Sequence, residues 1–356
     1  MISLFQETVD EHAEIDLYAK VRDELSLALN KGIILSWDEL KNHLPLSIDP
    51  IITKNYYEIL VEDRSLREAL SQVSFTECYL HEPAVIRFQT FDGRKETLKL
   101  EIDQDSWQIW LEIIAIKYHQ NWNCQNPFVS FRVEMNHHPY RFSLLHHKAT
   151  SSPYSKLIIR NLQTNSLPLN AFGADFNFTE LIKNKSNILI CGPTGSGKTS
   201  LLNTLLKETS SDEHIVILED TQELILPHAY CTRFLAQEHP SYRLEDFLTY
   251  SLRLSPDRIV LGEMRSSEVV AYLLAMNTGH SGVMSTIHAN SAVDGINRVA
   301  MMFNLYGKGL NNHEVLNLVT KNLDIIVFME NKKIKEIIKP LGSDLGQPYY
   351  ETLFES

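Results

Sequence analysis

NILICGPTGSGKTSLLNTLL, residues 187–206, sets the architecture of everything around it. A short apolar, β-branched run is followed by GPTGSGKT, Gly192 to Thr199, with the full G-x-x-x-x-G-K-[ST] spacing, and then by a helical pattern. Strand, glycine-rich loop and helix in that order are the context a P-loop requires; a chance match in an ordinary loop would lack both flanks. Gly192, Pro193, Thr194, Gly195, Ser196 and Gly197 form the loop, whose backbone N–H groups turn toward phosphate oxygens at a helix N-terminus. Lys198 is the residue expected to reach the β- and γ-phosphates of ATP, and Thr199 offers its hydroxyl to Mg²⁺.

Outward from this loop, further buried runs alternate with helical patterns: HIVILE (214–219), DRIVLGE (257–263), VMSTIHA (283–289) and DIIVFME (324–330). Such spacing predicts an α/β fold with a parallel sheet covered on both faces. Carboxylates are expected at the C-terminal ends of these strands, beside the loop, to hold hydrated Mg²⁺ and orient water. Glu219 and Asp220, with Glu223 further on, end the first, and Glu263 ends the second, although a surface acid at a strand end is common when met alone. His280 and His288 flank the third, with His288 at its end, where a neutral imidazole is suited to sensing a γ-phosphate.

The N-terminal half has a different texture. Residues 1–70 read as helices, with Ile15, Leu17, Val21, Leu25 and Leu29 near helical spacing and a capping box from Ser36 to Glu39. ECYLHEPAVIRFQTFDGRKETLKLEI (77–102) alternates like two strands joined at Asp92–Gly93, SWQIWLEIIAIKYHQNW (106–122) reads as a helix, and FVSFRVEMNHHPYRFSLLHHKAT (128–150) and SKLIIRNL (155–162) as further strands. The expected organisation is a helical extension over 1–70, a small α/β domain over 71–160, a linker over 161–178 and the ATPase domain over 179–356.

A net charge of −12 over 356 residues argues against a broad nucleic-acid surface, which needs clustered Lys and Arg. The cysteines, Cys78, Cys124, Cys191 and Cys231, form no CxxC pair, so neither a zinc ribbon nor a disulfide framework is encoded and a cytoplasmic setting fits. No secretory leader is recognisable, and no stretch reaches the ~18 apolar residues of a membrane span. The pairs His137–His138 and His146–His147 are expected on strands, where neighbours point to opposite faces and do not converge on one metal ion.

Taken in order, GPTGSGKTSLLNTLL, ILEDTQEL, SPDRIVLGEMRSSE and AMNTGHSGVMSTIHANSA resemble the Walker A, Asp, Walker B and His boxes of the secretion traffic ATPases of the type II and type IV secretion superfamily. The resemblance covers roughly residues 140 to 330 and is nearest the branch serving type IV secretion and tight-adherence pili. It implies a PAS-like N-terminal domain, a RecA-like ATPase domain, a ring of six subunits and nucleotide held at the domain interface. It also implies catalytic roles for Glu219, Glu263 and His288, metal binding by Thr199 and Glu263, and γ-phosphate contacts from N-terminal arginines, for which Arg141 and Arg160 are the candidates. The implied partners are inner-membrane platform proteins, with the chain peripheral to that membrane and making no direct nucleic-acid contact. Ser255 in LRLSPDR departs from the family, where an arginine is usual, leaving Arg253 or Arg258 either to compensate or to serve structure. Two other readings stay open from sequence: a nucleic-acid motor, since RecA-like domains also drive helicases, and a nucleotide-dependent scaffold without turnover.

Overall fold

The computed structural model describes residues 11–45, 49–162, 167–236 and 243–356, leaving aside the side chains of 11–17; Ile15 and Leu17 therefore lie outside the described side chains. The chain divides into two compact units, Met1–Leu162 and Gln163–Ser356.

The first unit opens with helices α1 (Glu11–Leu29), α2 (Trp37–His43), α3 (Pro50–Leu60) and α4 (Arg64–Gln72). The capping box at α2 is present: Ser36 Oγ accepts from Glu39 N, and the Glu39 carboxylate accepts from Ser36 N at 2.8 Å. Strands β1 (Phe75–Glu82), β2 (Val85–Thr90) and β3 (Lys95–Lys99), helix α5 (Trp107–Lys117), and strands β4 (Phe128–Met135), β5 (His138–Leu145) and β6 (Lys156–Asn161) follow. The strands make one six-stranded antiparallel sheet, order β3-β2-β1-β6-β5-β4. Where two strands were expected over 77–102 there are three, because Pro83 and Ala84 make a second tight turn, with Ala84 at φ 59°. The Asp92–Gly93 turn joins β2 to β3.

Alternation along these strands separates the sheet faces. Cys78, Leu80, Val133, Phe142, Leu144, Leu157 and Ile159 share a core with Val21, Leu25, Leu40, Leu60, Trp107 and Trp110, so α1–α5 cover one face. The opposite positions are mostly polar, and strand register sets Arg132 against Arg141, Arg141 against Arg160, and Arg160 against Glu77. The histidine pairs correct the sequence expectation. His137 occupies a tight turn (φ 58°) before β5, and His146 and His147 follow β5, their rings stacked 4.4 Å apart. The expected opposite-face geometry therefore fails, yet among the described residues no group of three or more metal-ligating side chains gathers there.

The second unit contains α6 (Phe178–Lys183), β7 (Ile188–Cys191), α7 (Lys198–Lys207), β8 (Ile215–Glu219), β9 (Cys231–Leu235), α8 (Leu244–Ser251), β10 (Arg258–Met264), α9 (Glu268–Asn277), β11 (Met284–Ile287), α10 (Ala292–Tyr306), α11 (Asn312–Asn322), β12 (Ile325–Glu330), β13 (Lys333–Asp344) and β14 (Gln347–Glu355). Its eight-stranded sheet has the order β14-β13-β12-β7-β11-β10-β8-β9, parallel from β12 to β9. The unbroken apolar runs follow from burial on two sides. Ile188, Ile190, Ile215 and Ile217 face α6 and α7, while Leu189, Cys191, Val216 and Leu218 face α8–α11. The antiparallel pair β13–β14 was not expected from sequence; Lys339, Pro340 and Gly342 break the alternation that would have marked it.

Candidate nucleotide site

The P-loop connects β7 to α7 at the C-terminal end of the parallel strands. Gly192 is dictated by crowding: a Cβ there would overlap the Met329 carbonyl oxygen and crowd Ser196 Oγ. Gly197 caps α7 at φ 97°, a conformation that side chains rarely adopt. Pro193, Thr194 and Gly195 are exposed, Thr199 is half-buried on the first turn of α7, and the buried Ser196 Oγ has no hydrogen-bond partner. A buried hydroxyl with no partner, inside a loop of amide donors, suits an anion's oxygens.

Lys198 is only 7% exposed, and its Nζ donates to the carbonyls of Gly192 and Pro193, each at 2.9 Å. Burial holds its pKa below the ordinary lysine value. The same Nζ is 3.4 Å from His288 Nδ1, and His288 Nε2 is 2.7 Å from Glu263 Oε1. The ammonium can only donate, so Nδ1 is the acceptor and the ring proton lies on Nε2, the nitrogen nearest the Glu263 carboxylate. Burial, and then the Lys198 charge, push the His288 pKa below its ordinary value, which keeps the imidazole neutral. Glu263 Oε2 accepts from Arg265 Nη2 at 2.6 Å, and Arg265 Nη1 binds Asp220. A chain of contacts thus runs from Lys198 through His288 and Glu263 to Arg265 and Asp220.

Glu219 takes a different place from the one expected of a water-facing acid. It is 2% exposed; Oε1 accepts from the amides of Glu223 and Leu224 at 2.8 and 2.7 Å, and Oε2 is 3.1 Å from Arg233 Nε. Burial pushes its pKa up to about 7 against the pull of those donors. Its geometry is that of a group that shapes the 220–224 loop. The loop is also fastened to α7, since Asn203 Oδ1 accepts from Ile225 N at 2.8 Å and Asn203 Nδ2 donates to the Glu223 carbonyl. The negative charge of Glu223 favours the charged forms of Lys198 and Arg265.

Arg258 is structural. Fully buried at the start of β10, it binds Glu213 and the Ile182 carbonyl at the edge of the sheet opposite the P-loop. Arg253 is exposed, and His280 makes local contacts with Ala275 and Thr278. In the first unit, Arg160 binds Glu77 at 2.7 Å and shares its row with Arg141 and with Arg132, which sequence reading missed. Period-two counting from Arg141 back across the Asn136–His137 turn would have found it.

Residues 125–327 match the family of Type II/IV secretion system proteins. The chain belongs to that family. Protein VirB11 of Rhizobium radiobacter is 34% identical over 152 residues, covering 41% of this chain and 44% of VirB11, so the match spans less than half of that relative. Among solved structures, the ATPase DotB of Legionella pneumophila superposes with a TM-score of 0.60 at 19% identity, over 82% of this chain and 79% of DotB. The pilus retraction motor PilT with bound ADP superposes at 0.59 and 21% identity, over 82% of each chain. At these identities the structural likeness speaks to fold: an N-terminal domain followed by a RecA-like ATPase domain.

The described residues include no helix long and apolar enough to cross a membrane. No group of three or more His, Cys, Asp or Glu side chains gathers among them to hold a metal ion. The donors present, one hydroxyl from Thr199 and a carboxylate from Glu263, fit an ion that arrives with the phosphates and keeps most of its waters, as Mg²⁺ does.

Proposed function

We propose that the chain is an ATPase of a type IV secretion or pilus system, acting as a homohexamer that converts ATP hydrolysis into domain motion. The observation that carries this reading is the contact chain from Lys198 through His288 to Glu263 beside an intact P-loop. Binding draws Lys198 Nζ from the loop carbonyls onto the β- and γ-phosphates, while the amides of Gly195 to Thr199 cradle the phosphate oxygens. Thr199 and Glu263 are the residues that would hold Mg²⁺, which supplies charge neutralisation for phosphoryl transfer when bound. Glu263 orients the attacking water and takes its proton, His288 fixes the Glu263 carboxylate through Nε2–H, and Glu219 positions the loop that carries Glu223.

The arginine row of Arg132, Arg141 and Arg160 is assigned to anion binding. Guanidinium groups lined up across neighbouring strands offer the forked donors that phosphate oxygens accept. The domain assignment proposed is 1–70, 71–160, a linker over 161–178, and 179–356, with peripheral association at the inner membrane through platform proteins. Similarity to VirB11 supports the branch. Light scattering with and without ATP and Mg²⁺, alongside phosphate release, tests the assembly: a six-subunit mass with turnover is expected, and a monomer under all conditions refutes the ring.

A further inference from the structure

The phosphate loop has two flanks, and only one is accounted for by Glu263 and His288. In the order β12-β7-β11-β10, strand β7 carries the loop, β11 and β10 bring His288 and Glu263 to one side, and β12 borders the other. β12 runs parallel to β7, Val327 beside Ile190 and Phe328 beside Cys191, so it also ends at the loop. There the chain reverses through Asn331 and Lys332, both left-handed at φ 51° and 63°, and returns as β13.

This turn is folded onto the P-loop. The Met329 carbonyl oxygen fills the space where a side chain on Gly192 would lie. A Cβ on Gly197 would sit 3.4 Å from Met329 Cε and 3.5 Å from Lys332 Cα. The following residue is fixed, since Lys333 Nζ donates to the Ala171 carbonyl at 2.8 Å. Lys332 is exposed and left-handed, an uncommon conformation for a long side chain. The backbone therefore sets Lys332 Cα and Cβ at the rim of the loop, next to Gly197, where α7 begins, within reach of a four-carbon stem.

We propose that Lys332 is a nucleotide-binding residue that contacts the α- and β-phosphates, on the flank opposite Glu263 and His288. This rests on the nucleotide reading of the P-loop. Lys198, Glu263 and His288 would serve the transferred phosphate, the loop amides and the start of α7 would hold the retained ones, and the β12–β13 turn sets Lys332 beside that helix start. A contact to phosphates shared by ATP and ADP strengthens binding of both equally, so it sets affinity more than the rate of the chemical step.

The test uses the full chain with Mg²⁺ and measures ADP affinity by calorimetry and KM for ATP by phosphate release. Lys332→Asn removes the charge while keeping a residue that tolerates left-handed backbone. It should weaken ADP binding about tenfold, raise KM by a similar factor with a smaller change in kcat, and lose much of this difference at high salt. Lys332→Arg should restore affinity. ADP binding by Lys332→Asn within about twofold of the parent, while Lys198→Ala has lost it, overturns the assignment and leaves the P-loop reading standing. Equal weakening in Lys332→Asn and Lys332→Arg, with a lowered thermal midpoint of the nucleotide-free chain, makes the role structural and also overturns it. A parent chain that binds no ADP overturns both readings.

Discussion

His288 Nε2 and Glu263 Oε1 are 2.7 Å apart, and the other ring nitrogen of His288 is 3.4 Å from Lys198 Nζ, so one imidazole stands between the P-loop lysine and the strand-end carboxylate. Such an arrangement works only in the neutral form, with the proton on Nε2. Protonation would set a second cation against Lys198. Because burial and Lys198 hold the His288 pKa below its ordinary value, ATP turnover should be level near neutrality and fall as pH drops through that lowered value. His288→Gln should cut kcat by about 10²-fold and flatten that acid limb; a pH–rate profile of the two proteins decides it.

Glu219 gives a pH dependence in stability. Its folded pKa, about 7, lies above the ordinary value of 4.5, so between those limits the folded chain binds the proton more tightly than the unfolded chain. The contribution of Glu219 is therefore fully present below pH 4.5 and lost as pH rises through 7. Glu219→Gln should remove this slope from the thermal midpoint across that window, and an unchanged slope would assign the buried carboxylate another environment.

Gly192 should tolerate no side chain. Gly192→Ala drives a methyl group into the Met329 carbonyl and Ser196, distorting the loop that meets the phosphates. Loss of nucleotide binding of at least about tenfold is expected by calorimetry. Circular dichroism should show the secondary structure retained, since the clash is confined to the loop and the end of β12.

The first unit holds a buried carboxylate, Asp63, fully enclosed and 2.6 Å from Lys117 Nζ, with Trp110 Nε1 donating at 3.2 Å. Lys117→Ala strands that charge and should cost about 3–5 kcal/mol in denaturant unfolding. Asp63→Asn should cost less, since Asn still accepts from Trp110 and suits the left-handed backbone at φ 56°.

The β7–loop–α7 segment was legible because three signals coincide within twenty residues: a doubly buried strand, a glycine pattern needed for backbone reasons, and a helix with apolar spacing. β8, β10, β11 and β12 share the first of these, whereas β9, half-buried at the sheet edge, does not and was not foreseen. Turns without glycine were harder, and both Pro83–Ala84 and Asn136–His137 reverse the chain where alternation alone runs on. The contacts of Glu219 were not legible, because a strand-end acid facing solvent and one folded under its own loop have the same sequence; the partner, Arg233, lies on a strand whose pairing is set by tertiary packing. The turn that brings Lys332 to Gly197 was hidden for the same reason, since only sheet order makes β12 the neighbour of β7.

Phosphate release from ATP by the purified chain, compared with Lys198→Ala and Glu263→Gln, bears most directly on the claim that this loop hydrolyses nucleotide. Turnover by the parent is expected, with Lys198→Ala losing binding and turnover together and Glu263→Gln binding ATP while releasing phosphate at least about 10²-fold more slowly. Equal phosphate release from all three proteins would contradict the account.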